Sequence, residues 1–415
     1  MQLSAPLNRI CVFSHKTFIP PTSGHNIALF NMLNSLVKEG FIVDFHTYGQ
    51  KFAEPRYSGI NIHIHPFPSL AKVLFLNRFF RRLMDRAKSY EAYLCLSSLA
   101  PHFVSFAREE LAKSDFVFVE HIWSSLFPII YAKLFRKPAI LVNRNAETVL
   151  SRRLLKTHAS KLARLLLFLR LTYTFLLEKF ACSLATRVFV TSRNDMAAIS
   201  KHLGIPVRKI DVFPPGIETS RLKKNSSLGR AARRKLNIPS KAPIVCFLGD
   251  LTTVPNYISV KYIVEHIFPE VSASLPEACF LIIGRCGESS RSLTKITRIV
   301  FTGEAPDLIP LLSAADICIA PLSLGSGIKL KILTYFSFGK PVISTPIGME
   351  GIGAKNGEEA IICGLKDFSK EILRLALDHE LRSTLGENGR RFVEDNYDQD
   401  LITKRLIAAL REGER

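Results

Sequence analysis

Residues 325–331 read Gly325-Ser326-Gly327-Ile328-Lys329-Leu330-Lys331. A glycine turn feeding a helix offers free backbone N–H groups and the positive end of the helix dipole, a combination suited to a diphosphate. Lys329 and Lys331 add point charges for the same phosphates. Taken alone, each part has a plainer reading, a simple turn followed by two solvated lysines. His121 is a second candidate. It directly follows the run FVFVE, and parallel sheets present ligand contacts at the carboxyl ends of their strands. A satisfied structural histidine is the competing reading, and the same two readings apply to His15 and His25. The eight cysteines form no C-x-x-C pair. They read as buried free thiols of a reducing compartment, and no cysteine-based metal site is expected.

These groups need a frame, and the sequence supplies strand and helix in alternation, twice over. RICVFS at 9–14 is a short apolar run. A loop with Pro20, Pro21 and Gly24 follows it, then an apolar pattern at helical spacing through Ile27, Phe30, Leu33 and Leu36, then FIVDFHTYG from Phe41. That β-loop-α-β order opens a doubly wound parallel sheet. Further buried strands are expected at 116–120, 139–143 and 188–191, where the apolar runs are continuous. Residues 221–240 turn polar and basic and read as a linker with a short surface helix. A second series begins at PIVCFLGD (243–250) and continues through runs at 279–284, 298–303, 317–321, 341–345 and 360–363. The pattern predicts an α/β protein of two Rossmann-like domains, 1–218 and 219–397. The remaining segment, 398–415, is a helix able to pack back on the first domain.

Composition excludes other classes. With 47% hydrophobic residues the chain can bury a large core, which rules out disorder. The longest strongly apolar stretch, Leu165–Leu177, is interrupted by Arg170 and falls short of the roughly 20 apolar residues of a spanning helix. No secretory signal is read at the N-terminus, so a cytoplasmic protein is expected.

Residues 243–352 carry a resemblance to the GT-B retaining glycosyltransferases of family four. The segment GSGIKLKILTYFSFGKPVISTPIGMEGIG resembles that family's donor-binding stretch, and FLGDLTTVPN, LIIGR and FTGEAPDLIPLLSAADICIAP fit the same pattern. In the first half, PPTSGHNIALFNML resembles the glycine loop near the donor phosphate, RNAE at 144–147 the His-Asn-x-Glu segment, and FPPGIE the end-of-domain signature. The resemblance implies two Rossmann-like domains facing each other across a cleft. The C-terminal domain would bind a nucleotide-sugar donor and the N-terminal domain a glycan or lipid-linked acceptor, with transfer retaining configuration. It implies that the base meets Gly303, Glu304 and Ala305. Gly24, Gly249, Asn256, Gly325, Ser326, Gly327, Lys329 and Lys331 would belong to the donor site, and His121, Arg144 and Glu147 to the catalytic centre. No metal and no cofactor are expected when lysines and a helix terminus stabilise the leaving diphosphate.

Two positions depart from the family pattern. The family's ribose-binding glutamate corresponds to Thr334, and its partner eight residues earlier is Ser326. Arg144 stands where a histidine precedes Asn-x-Glu, and arginine cannot act as a neutral imidazole does. Glu147 is left with two roles, approaching the acceptor or capping the following helix. Two rivals follow, a nucleotide-sugar epimerase of the same architecture and a non-catalytic GT-B binding module.

Charge is divided unevenly. Residues 1–230 hold 33 Lys and Arg against 14 Asp and Glu, whereas 231–415 hold 23 against 22. The basic half points to an anionic partner. The segments 77–88 and 151–180 interleave cations with Phe and Leu, as a peripheral helix on an anionic membrane face does. A core-facing apolar stripe is the rival reading of 151–180. No nucleic-acid-binding module is present, so nucleic acid is not an expected partner.

Overall fold

The computed structural model describes residues 8–14, 24–48, 59–65, 108–122, 125–144, 146–149, 161–288, 290, 293, 296–325 and 327–412. The chain divides into two compact units, Met1–Pro214 with Thr403–Arg415, and Pro215–Ile402. This division falls four residues before the expected boundary at 218/219, for a visible reason. Ile217 N donates to Tyr397 O at 2.8 Å and Gln399 N donates to Ile217 O at 2.9 Å, and Thr219 Oγ1 donates to the Asp398 carboxylate. Those bonds tie 217–219 to the end of the helix His379–Tyr397.

The first unit is built on seven parallel strands: β1 (Arg9–Ser14), β2 (Ile42–Tyr48), β3 (Ile60–His65), β4 (Phe116–Glu120), β5 (Ala139–Asn143), β6 (Arg187–Val190) and β7 (Ile210–Val212). Their spatial order is β3-β2-β1-β4-β5-β6-β7. Alternate residues of β1 serve opposite faces. Ile10 and Val12 join Leu29, Leu33 and Leu36 of the helix Gly24–Lys38, and Leu406, Ile407 and Leu410 lie in that same core. Cys11 and Phe13 pack on the other face with Leu177 and Ala181 of the helix Lys161–Leu184. Burial on both faces explains why these strands read as continuous apolar runs. The edge strands β3, six residues, and β7, three, have weaker apolar runs and are not among the strands expected from the sequence.

The second unit repeats the plan with six parallel strands: β8 (Ile244–Leu248), β9 (Cys279–Ile283), β10 (Ile299–Phe301), β11 (Ile317–Ala320), β12 (Val342–Ser344) and β13 (Ile361–Ile362). Their order is β10-β9-β8-β11-β12-β13. Ile244 and Cys246 face one core, Val245 and Phe247 the other. In both sheets the order reverses beside the first strand, between β1 and β4 and between β8 and β11. Open α/β sheets bind ligands at the carboxyl ends of the strands at such a switch point. The cysteines among the described residues are free, five buried and two half-buried, and burial, with the nearby Glu178 carboxylate, pushes the Cys182 thiol well up.

Candidate functional site

In the second unit the sequence-derived residues gather at the carboxyl ends of β8, β9, β10 and β11. Gly249 ends β8, and a Cβ there would stand 2.7 Å from Asn256 Cγ; only glycine lets the helix Val254–Tyr262 bring Asn256 so close. Asn256 is held by both ends of its amide. Its Nδ2 donates to Asp250 O at 2.9 Å and its Oδ1 accepts from Lys331 Nζ at 2.7 Å. The same ammonium lies 4.0 Å from the centre of the Phe247 ring, a cation–π contact. Burial, and secondarily the charge of Lys329, lowers the Lys331 amine to about 7. Its described partners are a neutral amide and a ring, so no carboxylate among the described residues cancels its charge.

Lys329 stands just before the helix Leu330–Ser337 and its Nζ donates to Gly327 O at 2.6 Å. Gly325 and Gly327 both have positive φ, +137° and +67°, which a side chain would strain. Ser326 lies outside the described residues. At the end of β9, Gly284 (φ +136°) passes so close to Gly249 that a Cβ would collide with Gly249 O. Gly284 N donates to Gly303 O at 3.0 Å, which sets the turn Gly303-Glu304-Ala305 after β10. Gly303 is left-handed at φ +70°, Glu304 is exposed and Ala305 half-buried.

Two groups in this cluster were not anticipated. Arg285 Nη2 lies 2.5 Å from Asp250 Oδ2, and Asp250 Oδ1 also accepts from Thr252 N at 2.9 Å and Thr252 Oγ1 at 2.6 Å. Burial alone would raise the Asp250 carboxyl, but these bonds outweigh it and hold the group below its usual value. Thr334 is only 8% exposed, and its hydroxyl donates to Leu330 O at 2.9 Å, one helical turn back.

In the first unit, the carboxyl ends of β4 and β5 bring His121, Arg144 and Glu147 together. His121 adopts φ +75°, an uncommon left-handed conformation that histidine enters more readily than most residues and that redirects the chain at the strand end. Its Nε2 lies 3.2 Å from Glu147 Oε1, with both side chains largely buried. Arg144 Nε pairs with the Glu120 carboxylate, and its Nη2 is buried with no hydrogen-bond partner among the described residues. Glu147 has its described side-chain contact with His121. The segment it opens is capped by Glu178, which accepts from Glu147 N at 3.0 Å, Thr148 N at 2.9 Å, Thr148 Oγ1 at 2.5 Å and Asn143 Nδ2 at 2.8 Å. Burial raises the Glu178 carboxyl despite those bonds. Thr191 Oγ1 donates to Arg144 O at 2.9 Å and Asp195 Oδ1 accepts from Ala146 N at 3.3 Å, completing the clamp.

The sequence reading missed Glu178. A signal was present, since Glu178 is the one acidic residue in the 24-residue helix Lys161–Leu184, and a lone acid among leucines needs partners. Gly24 opens the helix Gly24–Lys38. His15, the loop before Gly24 and the segment 77–88 lie outside the described residues. Among the described residues no group of three His, Cys, Asp or Glu side chains could hold a metal ion, and no helix is long and apolar enough to cross a membrane.

Comparison with known proteins bears on the same two units. Residues 22–221 match the family model described as "Glycosyltransferase Family 4", and residues 242–378 match "Glycosyl transferases group 1". A relative from Escherichia coli, UDP-Gal:alpha-D-GlcNAc-diphosphoundecaprenol alpha-1,3-galactosyltransferase, is 25% identical over 251 residues, 57% of this chain and 62% of the relative. The lipopolysaccharide core biosynthesis glycosyltransferase LpsE of Rhizobium meliloti is 26% identical over 191 residues, 43% of this chain and 52% of the relative. The chain thus spans 62% and 52% of these curated relatives' lengths. Among solved structures, sucrose-phosphate synthase from Thermosynechococcus elongatus superposes with TM-score 0.74 at 18% identity, covering 98% of both chains. Anabaena HepE in complex with UDP superposes with TM-score 0.70 at 15% identity, covering 98% of this chain and 100% of that one. Glycosyltransferase segments are thus matched in both halves, the N-terminal one by family 4, and the chain has the GT-B fold of these solved structures.

Proposed function

We propose that the protein transfers a sugar from a nucleotide-sugar donor to a glycan or lipid-linked acceptor, with retention at the anomeric carbon and without a metal ion. The observation that carries this reading is the Lys331 ammonium, held by Asn256 and Phe247 at a strand-end switch point with no neutralising carboxylate among the described residues. A cation fixed in a partly dehydrated site stabilises a leaving diphosphate more than a solvated one does. Lys329 and the glycine turn supply further charge and N–H groups, and the turn Gly303-Glu304-Ala305 is assigned to the base. In the first unit, His121 and Glu147 are assigned to the acceptor and the transferred sugar, with Arg144 and Glu120 as an ion pair beside them.

The E. coli relative is named for transfer from UDP-Gal to a diphosphoundecaprenol-linked sugar. UDP-sugars and lipid-linked diphosphate sugars are therefore the first substrates to offer. Incubation with a panel of nucleotide sugars, with and without such an acceptor, tests the reading. Release of nucleoside diphosphate that rises with acceptor is expected, and isomerised donor or complete silence would overturn it.

We also propose a cytoplasmic protein whose N-terminal unit rests on an anionic membrane face. Its support is the basic half of the sequence together with Phe168, Leu176 and Phe180, exposed on the helix Lys161–Leu184. Buried apolar side chains and cations act together in such binding. A second reading, a non-catalytic binding module, is favoured only by Thr334 and Arg144, and silence with every donor that still binds would support it.

A further inference from the structure

The second unit contains a cavity of about 840 Å³ that lies away from the strand ends described above. Ala315 and Asp316, which precede β11, and Pro341, which precedes β12, line it. It thus opens at the amino ends of the strands, whereas Gly249, Gly284 and Gly325 follow their carboxyl ends. Eight Lys and Arg residues line it against two carboxylates, Asp316 and Glu387. Five of the eight lie beyond residue 230, where the overall charge is close to balanced, and Lys223, Lys224 and Arg230 come from the end of the basic part of the chain.

Several of these cations are fixed by carbonyl oxygens, which orient a charge without cancelling it. Arg382 Nη1 donates to Leu375 O at 3.2 Å and Ala376 O at 3.3 Å. Arg390 donates to Leu222 O at 3.0 Å, Thr219 O at 2.9 Å and Ser337 O, and is also paired with Glu394 at 2.6 Å, as Arg233 is with Asp316 at 2.6 Å. Lys340, only 4% exposed, donates to Ser313 O at 3.3 Å and to Ala315 O. It directly follows Gly339, whose φ of +59° turns the chain into the cavity wall. On the opposite wall, Gly229 packs against the Ser313 backbone so tightly that a Cβ would stand 2.9 Å from Ser313 O. This approach brings in the helix Ser226–Lys235 with Arg230. Lys223, Lys224 and Arg230 are exposed and form no ion pair among the described residues.

Burial lowers the Lys340 amine to about 8; the charge of Lys224 adds to this, and nearby thiols and the Asp316 carboxylate oppose it. The cavity volume lies within the range of about 300–1,000 Å³ typical of small-molecule sites. Fixed cations around a concave polar wall suit a phosphate group better than a carboxylate-poor solvated face requires.

We propose that this cavity binds the phosphate of a phosphorylated ligand, at a site separate from the one assigned to the donor. Lys223, Lys224 and Arg230 supply the mobile charges at the mouth, and Lys340 with Arg382 the fixed ones at the wall. The phosphate belongs either to a soluble phosphorylated molecule or to a lipid headgroup, and two arms of one experiment separate these sources.

The full-length chain and a Lys224→Glu/Arg230→Glu variant are compared, with melting temperature used to confirm that the variant is folded. Both positions are exposed, and a Lys223→Ala/Lys224→Ala variant reads the same loss at smaller size if the first does not fold. In the first arm, calorimetric titration with inorganic pyrophosphate is expected to weaken at least about tenfold in the variant, because charge-assisted bonds are lost, while UDP binding is unchanged. In the second, flotation is measured with phosphatidylglycerol and phosphatidylcholine vesicles. Binding to phosphatidylglycerol that the variant loses, without pyrophosphate binding, assigns the phosphate to a lipid. Pyrophosphate binding of equal strength in wild type and variant overturns the proposal. So does the absence of any variant-sensitive binding in both arms.

Discussion

Lys331 and Asn256 stand 75 residues apart in sequence and are joined by a 2.7 Å hydrogen bond from the lysine ammonium to the asparagine amide oxygen. The amide in turn is anchored by the backbone of Asp250, so a neutral side chain orients the charge. Asn256→Ala is expected to free the lysine and weaken nucleoside diphosphate binding by about 10-fold or more, since a bond to a charged group is worth about 1.5–3 kcal/mol. Nucleoside affinity should change far less. Titration of the two ligands against the variant distinguishes a phosphate role from a general loss of the pocket.

The lowered Lys331 amine predicts a proton signature. Its ordinary value is 10.5 and its value in the fold about 7, so at pH 8 the group is mostly neutral in the free protein. A bound diphosphate favours the charged form, so binding takes up a proton and affinity falls as pH rises from 7 towards 10. Calorimetry at pH 8 in buffers of different ionisation enthalpy should show this uptake. Lys331→Met should abolish it, and uptake that survives in that variant would assign the proton to another group.

Glycine contacts at the strand ends predict two different outcomes. Gly249→Ala places a Cβ 2.7 Å from Asn256 Cγ, a side-chain neighbour that can move. The expected result is a folded protein with weakened nucleotide binding. Gly284→Ala instead drives a Cβ into the backbone of Gly249 at a φ of +136°. It should lower the melting temperature strongly, because neither backbone can yield without disturbing β8 and β9.

Glu178→Gln tests the clamp on the segment 146–149. Glu178 accepts four hydrogen bonds, and a glutamine amide turns one accepting end into a donor that faces donors. Loss of about 2–4 kcal/mol of stability is expected, measurable by urea unfolding. Activity in the remaining folded protein should also fall, because the same segment carries Glu147.

Acid should weaken the first unit through Asp44. Burial alone would raise its carboxyl, but His63, Arg9 at 2.5 Å and Asn61 at 3.0 Å outweigh this and hold it far below its ordinary 3.8. A depressed carboxylate contributes stability that is fully present above the unfolded value and is lost as pH falls below about 4. Asp44→Asn should be less stable than wild type at pH 7 and converge towards it in acid, as followed by denaturant melts between pH 7 and pH 3. A constant gap across that range would show that the carboxylate charge is not what the fold uses.

Much of the architecture was legible in the sequence because parallel strands buried on two faces must be apolar throughout. The runs at 9–14, 116–120, 244–248 and 279–283 were therefore visible, and so was the glycine turn before Lys329. The family resemblance marked Gly249, Asn256 and Gly303, and the structure shows close approach at Gly249 and positive φ at Gly303. Partnership was not legible. Asn256 with Lys331, His121 with Glu147 and Glu178 with 147–148 are pairs separated by 26 to 75 residues, and such contacts exist only once the sheet order is formed. Thr334 illustrates the limit from the other side. Its position matched a ligand-binding glutamate, yet its hydroxyl bonds Leu330 within its own helix. The basic cavity at the amino ends of β11 and β12 draws on residues from 223 to 391, which no single motif joins. The sequence determined the apolar strand pattern and the tight glycine positions, since local sterics and burial act on each residue in turn. Only the tertiary structure decided which charges meet and which remain unneutralised, because that depends on distances between segments that the chain's order does not contain.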